Sequence, residues 1–333
     1  MEDARDRYIA PGCRLCREGA KLVLFVTGRC DRDCWYCPLS SGRKGVDRVF
    51  ANDREVETEE DLIEEARVMS ALGTGVTGGD PLLEPDRVVR FCRALKTTFG
   101  PDHQIHLYTG RAPTRDELLP LVGLVDEVRL HPPHADWGRI LRTDYPRAIR
   151  EARALGFAIG VEVPALPGIQ GLAALLPLVD FLNINELEWG EANADGMRER
   201  GLELARPTGN AIAGSRDWAR PLLGDPRTRY CTSAFKDSVQ LRERLVRVAR
   251  NTARPFDECT GDGTVVYGRL RPDGAVGEAV AALGLEEGEY AIEEGGLELA
   301  WWRLVEGRDT VAGEKAVVER YPNRGMIVEE TPL

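Results

Sequence analysis

Apolar residues along this chain arrive as short, nearly unbroken runs at first, and as shorter runs cut by glycine and acid towards the end. The run at 21–27 (KLVLFVT) is rich in branched side chains and too short for a helix, so it predicts a buried strand. Thr58 with Asp61 three residues on predicts a helix start. Leu62, Ile63, Ala66 and Met69 recur on one face of that helix, up to a stop at Gly73. The same rhythm then repeats. Strands are predicted at 74–79, 104–109, 126–131, 157–163 and 180–185, and helices at 86–98, 114–122, 144–155 and 171–178. Six strands alternating with helices predict a parallel α/β architecture, and strands without polar alternation predict cover on both faces.

After Glu186 the rhythm changes. Residues 190–230 are rich in Gly, Arg and Pro and predict an irregular cover over one end of a barrel, followed by a helix at 233–251 with Leu241, Leu245 and Val248 at helical spacing. From 260 onward TVVYGRL, EYAIEE, LELAWWRLV, AVVERYP and GMIVEE predict a small β-rich domain, with Trp301 and Trp302 in its core. The expected division is an N-terminal extension over 1–20, a barrel over 21–190, cover and basic helix over 191–254, and an acidic domain over 255–333.

Charge sharpens this division. The 333 residues carry a net charge of −11. Residues 255–333 hold 17 Asp and Glu against 7 Lys and Arg, a net of −10, which leaves −1 for the rest. An acidic domain repels phosphate backbones, so nucleic acid is the less expected partner. The basic side chains between Lys236 and Arg254 are expected to form a solvated helix face or one facing the acidic tail, with binding of an anionic ligand as the alternative. The longest uncharged stretch, 163–179, contains Pro164, Pro167 and Pro177 and cannot span a bilayer as a helix. The start, MEDARDRYIAPG, lacks an apolar signal region, so a cytoplasmic location without membrane contact is expected.

Cysteine carries the candidate chemistry. Five of the eight cysteines, at 13, 16, 30, 34 and 37, fall within 25 residues. In a reducing compartment that points to ligation or catalysis rather than disulfides. Cys30-Asp31-Arg32-Asp33-Cys34-Trp35-Tyr36-Cys37 spaces three thiolates 4 and 3 apart on a loop leaving a strand. Three such ligands can each take one iron of a 4Fe–4S cubane and leave the fourth iron open. A structural zinc would want a fourth local ligand, and none lies beside these three.

This CxxxCxxC motif, with the aromatic Tyr36 before its third cysteine, resembles the hallmark of the radical S-adenosylmethionine (SAM) superfamily. Thr77-Gly78-Gly79-Asp80-Pro81, one strand–helix unit later, is similar to that superfamily's GGE-P motif, with Asp80 in place of the usual Glu. Gly73, Gly75 and Gly78 also fit GxGxxG, but they follow a predicted helix rather than a strand, which is the wrong context for a dinucleotide fingerprint. Val163-Pro164-Ala165-Leu166-Pro167-Gly168 and Tyr108-Thr109-Gly110 resemble the IPG and TNG segments of glycyl-radical-enzyme activases, the pyruvate formate-lyase activating type, and of a mainly archaeal group related to them. Two features depart from the activases. Asn183-Ile184-Asn185-Glu186 stands where they show a histidine, and the acidic tail is additional.

The resemblance implies a partial (β/α)6 TIM-like barrel of the radical SAM type and an oxidoreductase-class enzyme. Cys30, Cys34 and Cys37 would bind the 4Fe–4S cluster, whose fourth iron chelates SAM. Reduction, by a ferredoxin or flavodoxin, would give a 5′-deoxyadenosyl radical that takes hydrogen from a protein, peptide or small-molecule substrate. Modification of tRNA, or a non-catalytic iron–sulfur or zinc protein, are the alternatives. Gly78 and Gly79 are expected to approach SAM through their backbone, and Asp80 to accept from its ammonium.

Strand ends carry the chemistry of barrel enzymes. Thr109, His131, Glu162, Asn185 and Glu186 are therefore the further candidate cofactor contacts. Glu162, between valines, needs a partner such as a ribose hydroxyl or a cation. Cys13 and Cys16, with Cys231 and Cys259, form a candidate auxiliary site for a second iron–sulfur cluster or zinc. Cys92 is expected in a helix core.

Overall fold

The computed structural model describes residues 9–333. They form two compact units, one running to 67 and from 71 to 240, the other comprising 68–70 and 241–333.

In the first unit seven strands run parallel: β1 (Lys21–Phe25), β4 (Gly73–Thr77), β5 (Gln104–Thr109), β6 (Glu127–Leu130), β7 (Ala158–Pro164), β8 (Phe181–Asn185) and β9 (Thr228–Cys231). A short antiparallel hairpin, β2 (Phe50–Ala51) and β3 (Arg54–Glu55), extends the β1 edge. The order β3-β2-β1-β4-β5-β6-β7-β8-β9 follows the chain with no reversal among the parallel strands. Right-handed crossovers in one direction put the helices on one side of the sheet, which is barrel winding. The two free edges make the barrel partial.

Helices at Glu59–Val68, Pro85–Phe99 and Tyr145–Ala154 meet the predicted positions. The crossovers before β6 and β8 are shorter, mostly 3-10 turns, at 115–121 and Ile169–Leu175.

Three expectations need correction. Residues 228–231, expected within irregular cover, form a seventh parallel strand on β8. The first helix stops at Val68, where Ser70 (φ 48°) turns the chain in the left-handed region, while Gly73 opens the next strand. The central strands also alternate after all. Leu107, Val128, Leu130, Val161, Leu182 and Ile184 are buried apolar residues, while the intervening His106, Arg129, Glu162 and Asn183 make a buried polar face. Gly75 makes room on this face: a Cβ there would lie 2.6 Å from His106 Nε2. The short helix Pro11–Arg17 packs on the same face, and a Cβ on Gly12 would meet His106 Nδ1 at 2.4 Å.

The second unit is an antiparallel sheet of β10 (Glu258–Cys259), β11 (Val265–Pro272), β12 (Tyr290–Glu293), β13 (Gly296–Leu299), β14 (Gly313–Arg320) and β15 (Ile327–Pro332). Leu270, Leu297, Leu299 and Leu304 form its core. The expected strand LELAWWRLV divides into β13 and a helix, Trp301–Glu306. Trp302 is 41% exposed rather than core, and Trp301 Nε1 donates to Glu258 at 2.6 Å. The boundary between the units falls at 240/241, ahead of the helix Arg242–Thr252, rather than at 255.

Candidate active site

The loop that leaves β1 carries Cys30, Cys34 and Cys37, all free thiols. Cys37 N donates to the Cys34 carbonyl at 3.0 Å, and Arg32 N donates to Cys30 Sγ at 3.4 Å, so short-range backbone turns shape the motif. The turn after β4 docks against this loop. Gly79 N donates to Thr27 O at 2.7 Å and Asp80 N to Arg29 O at 2.8 Å. No side chain fits at that contact: a Cβ on Gly79 would lie 2.1 Å from Arg29 O, and one on Gly78 2.5 Å from Thr27 O.

The three cysteines, Tyr36, Gly78 and Gly79 line one cavity of about 290 Å³ at the C-terminal ends of the strands. Thr109, His131, Asn185 and Glu186, predicted from later strands, line it too. Tyr36 and His131 fix one another. His131 Nδ1 donates to the Glu162 carbonyl (2.9 Å), which leaves Nε2 to accept from the Tyr36 hydroxyl (3.3 Å). Burial pulls the His131 pKa down, so the ring is neutral, and burial pushes the Tyr36 phenol up.

Two predicted residues do other work. Asp80 is fully buried and does not line the cavity. Its carboxylate accepts from Leu82 N (3.1 Å), Thr109 Oγ1 (2.9 and 3.0 Å) and Gly110 N (2.8 Å). Burial raises its pKa despite these bonds. Asp80 thus clamps the ends of β4 and β5 together.

Glu162 likewise finds its cation inside the protein. Arg129 Nη1 lies 2.7 Å from Glu162 Oε2, and Asn183 and Asn185 donate to the carboxylate at 2.8 and 3.0 Å. Burial alone would raise its pKa, but the Arg129 charge and bonds from Tyr108, Asn183 and Asn185 outweigh that and hold it below the usual range. Arg129 also bonds Glu127 and the Tyr108 hydroxyl (3.1 Å). Glu162 thus supports two residues of the cavity wall, Tyr108 and Asn185. Glu186 is anchored in turn, accepting from Ser233 N (2.8 Å) and Tyr230 Oη (3.2 Å).

The sequence reading missed Tyr108, Glu188 and Lys236 as wall residues. Lys236 Nζ pairs with Glu188 Oε1 at 2.6 Å, and Lys236 opens a π-helical turn, Lys236–Leu241. The only signal was a lone lysine at the head of a basic helix.

Of the candidate auxiliary cysteines, Cys13, Cys16 and Cys231 come near one another on the polar side of the barrel sheet, and Cys259 does not join them. Cys13 and Cys16 sit on the Pro11–Arg17 helix, with Asn183 Nδ2 3.2 Å from Cys13 Sγ. Burial pushes the Cys16 thiol up to about 11 and that of Cys231 to about 12. Cys259 is exposed on β10 of the second unit. Among the described residues, no three His, Cys, Asp or Glu side chains are gathered closely enough to hold a metal ion. Cys92 is buried in its helix, as expected. Among the described residues, no helix is long and apolar enough to cross a membrane.

Comparison with known proteins agrees with this geometry. Residues 24–170 match the radical SAM superfamily, and residues 263–333 match a domain of unknown function, DUF8061. The chain is 38% identical over 312 residues to the "Putative glycyl-radical enzyme activating enzyme MJ0021" of Methanocaldococcus jannaschii, covering 88% of this chain and 81% of that protein.

Among solved structures it is similar to the radical SAM methyltransferase TsrM of Kitasatospora setae (TM-score 0.41, 13% identity, 72% of this chain and 64% of that one). It is also similar to Streptococcus suis SuiB (TM-score 0.39, 10% identity, 74% and 56%). The chain spans less than two thirds of either solved chain. With a 38% identical relative matched over four fifths of its length and the superfamily's own motifs lining one cavity, the chain belongs to the radical SAM superfamily and is a radical SAM enzyme, of a family that works with a 4Fe–4S cluster and SAM.

Proposed function

We propose that Cys30, Cys34 and Cys37 hold the 4Fe–4S cluster and that the cavity beside them takes SAM and part of a protein substrate, a glycyl-radical enzyme. The observation that carries this reading is the meeting of three free thiols, the side-chain-free Gly78–Gly79 turn and the Tyr36–His131 pair on one cavity. The donor types fit the group: three soft thiols at the sequence spacing of a cluster loop, none of them in a disulfide, all lining one cavity. When bound, the cluster and SAM supply an electron and a 5′-deoxyadenosyl radical that takes a hydrogen atom from the substrate.

The chain's own residues do the positioning. Gly78 and Gly79 bring backbone to the cavity surface without a Cβ. Tyr36, held by neutral His131, forms a fixed wall, and Asp80 locks the Thr109–Gly110 turn. Asn185 presents its amide from a side chain anchored on Glu162. The electron comes from a small reductant protein of the ferredoxin or flavodoxin type. Cys13, Cys16 and Cys231 serve as thiols that pack the barrel interior.

Anaerobic protein with a chemical reductant should convert SAM to 5′-deoxyadenosine, and the Cys30→Ala/Cys34→Ala/Cys37→Ala variant should not. Conversion by the triple variant would remove the cluster assignment. Adding a glycyl-radical enzyme from the same organism should generate a backbone radical visible by electron paramagnetic resonance; SAM cleavage without it, with deuterium transfer from a small molecule instead, would replace the protein substrate.

A further inference from the structure

Residues 255–333 carry ten more acids than bases, yet their cations are not spread evenly. Four of the seven, Arg269, Arg271, Arg320 and Arg324, line a single cavity of about 600 Å³, and Arg254 joins them. The cavity size is that of a small-molecule site.

The cavity lies over one face of the sheet. Leu270, Leu297 and Leu299 turn to the other face and build the core. On the two-residue period of a strand, Tyr267, Arg269 and Arg271 of β11 share the open face, with Glu298 of β13 opposite Arg269 and Arg320 of β14 opposite Val265.

Four carboxylates also line the cavity, so the charges need sorting. Arg254 takes the two most buried, Asp257 at 2.8 Å and Glu298, while its guanidinium stands 4.9 Å from the Tyr267 ring centre. That leaves Arg269, Arg271, Arg320 and Arg324 against Glu293 and Glu294. The lining holds five guanidinium groups and four carboxylates, and Glu330 and Glu314 beside it bring the acids to six, so an anion taken by these arginines must displace a carboxylate from them. Three of these arginines pair with the well-exposed carboxylates Glu330, Glu314 and Glu293, and pairs of that kind hold weakly in water and can be exchanged. Arg320 has a stronger demand, because its Nε is buried with no partner.

We propose that this cavity binds a ligand bearing two or more phosphoryl groups, gripped by Arg269 and Arg320 with Arg271 and Arg324 at the rim. A guanidinium fork accepts a carboxylate or a phosphate in the same bidentate geometry. Carboxylates are already supplied by the sheet itself. A phosphoryl group carries up to two charges on three acceptor oxygens and so displaces a singly charged carboxylate from the same fork.

The full chain is titrated calorimetrically at low salt with inorganic pyrophosphate, an eight-nucleotide single-stranded RNA and a hexaglutamate peptide. Saturable one-site binding of pyrophosphate, weakening as salt rises, is expected. Arg271 and Arg324 have side chains 51% and 79% exposed, so Arg271→Glu/Arg324→Glu leaves folding intact and should weaken binding by about tenfold or more. Arg308→Glu, an exposed position outside the cavity, should not. Tighter binding of the RNA through the same arginines would support the phosphoryl chemistry and assign its source to a nucleic-acid chain; equal or tighter binding of pyrophosphate assigns it to a small solute. Absence of saturable binding by either phosphate probe, an Arg308→Glu effect equal to that of the double reversal, or hexaglutamate binding as tightly as pyrophosphate would overturn the proposal.

Discussion

Arg129 in the barrel and Arg324 in the acidic domain present the same guanidinium to carboxylates at nearly the same distance, 2.7 Å from Glu162 and 2.8 Å from Glu293. Their surroundings differ completely. The Arg129 side chain is 3% exposed and also bonds Glu127 and Tyr108. The Arg324 side chain is 79% exposed and touches one acid. Removing one partner of a buried pair strands the other charge without water, whereas a surface pair returns both members to solvent. The barrel arginine is therefore committed to structure, while the exposed arginines of the acidic domain, Arg271 and Arg324, can change partners. Ion pairing by itself does not separate a scaffold from a binding surface. Burial does.

That contrast can be broken most severely at Arg129. Arg129→Met removes the guanidinium that Glu127 and Glu162 share in the buried barrel and should cost about 3–5 kcal/mol in urea unfolding; adding Glu162→Gln should recover part of it. A loss below about 1 kcal/mol would place Arg129 among the exchangeable pairs.

A smaller effect is expected at the clamp between β4 and β5. Asp80→Ala removes the acceptor for Leu82 N, Thr109 and Gly110 N, at about 1–2 kcal/mol, the scale of a lost helix cap. Asp80→Asn, which keeps one acceptor oxygen, should lose less, and both variants should keep a full cluster by iron analysis. If Asp80→Ala weakens SAM binding with unfolding unchanged, Asp80 faces the ligand after all.

Acid tests the same barrel network. The folded pKa of Glu162 lies below its unfolded value, so its contribution is fully present above that value, about 4.3, and is lost as pH falls through the folded value. Urea midpoints measured from pH 6 to 3 should fall less steeply for Glu162→Gln than for the unaltered protein. Parallel curves would remove Glu162 from the network. The smallest effect belongs to the exposed side of the comparison. Arg324→Ala should change stability by less than about 0.5 kcal/mol, and a larger shift in the thermal midpoint would show the pair with Glu293 to be structural.

Much of the barrel was legible because its signals are local. The runs at 21–27 and 104–109, and the helix pattern at 86–98, need only neighbouring residues to be recognised. β9 was missed because TRYC offers four residues with one polar and one charged among them, and becomes a strand by pairing with β8. LELAWWRLV was merged into one strand because two adjacent tryptophans suit either a strand or the helix they begin. The polar face of the barrel was hidden because single polar residues between valines and leucines look like interruptions until neighbouring strands bring them together.

The sequence alone pointed to the candidate ligand chemistry: three cysteines at spacings of 4 and 3 and a Gly78-Gly79-Asp80 turn are properties of a few adjacent residues. It also determined total charge, including the acidity of residues 255–333. Tertiary structure decided what each isolated charge meets. Glu162 finds Arg129 from 33 residues away, Asp80 finds Thr109 from 29, and four arginines of an acidic domain reach one cavity. The physical reason is distance along the chain. Backbone preference and side-chain period act over a turn or a strand, whereas a buried charge is stabilised by whichever residue the fold brings within hydrogen-bond reach, and that residue leaves no mark on its local pattern.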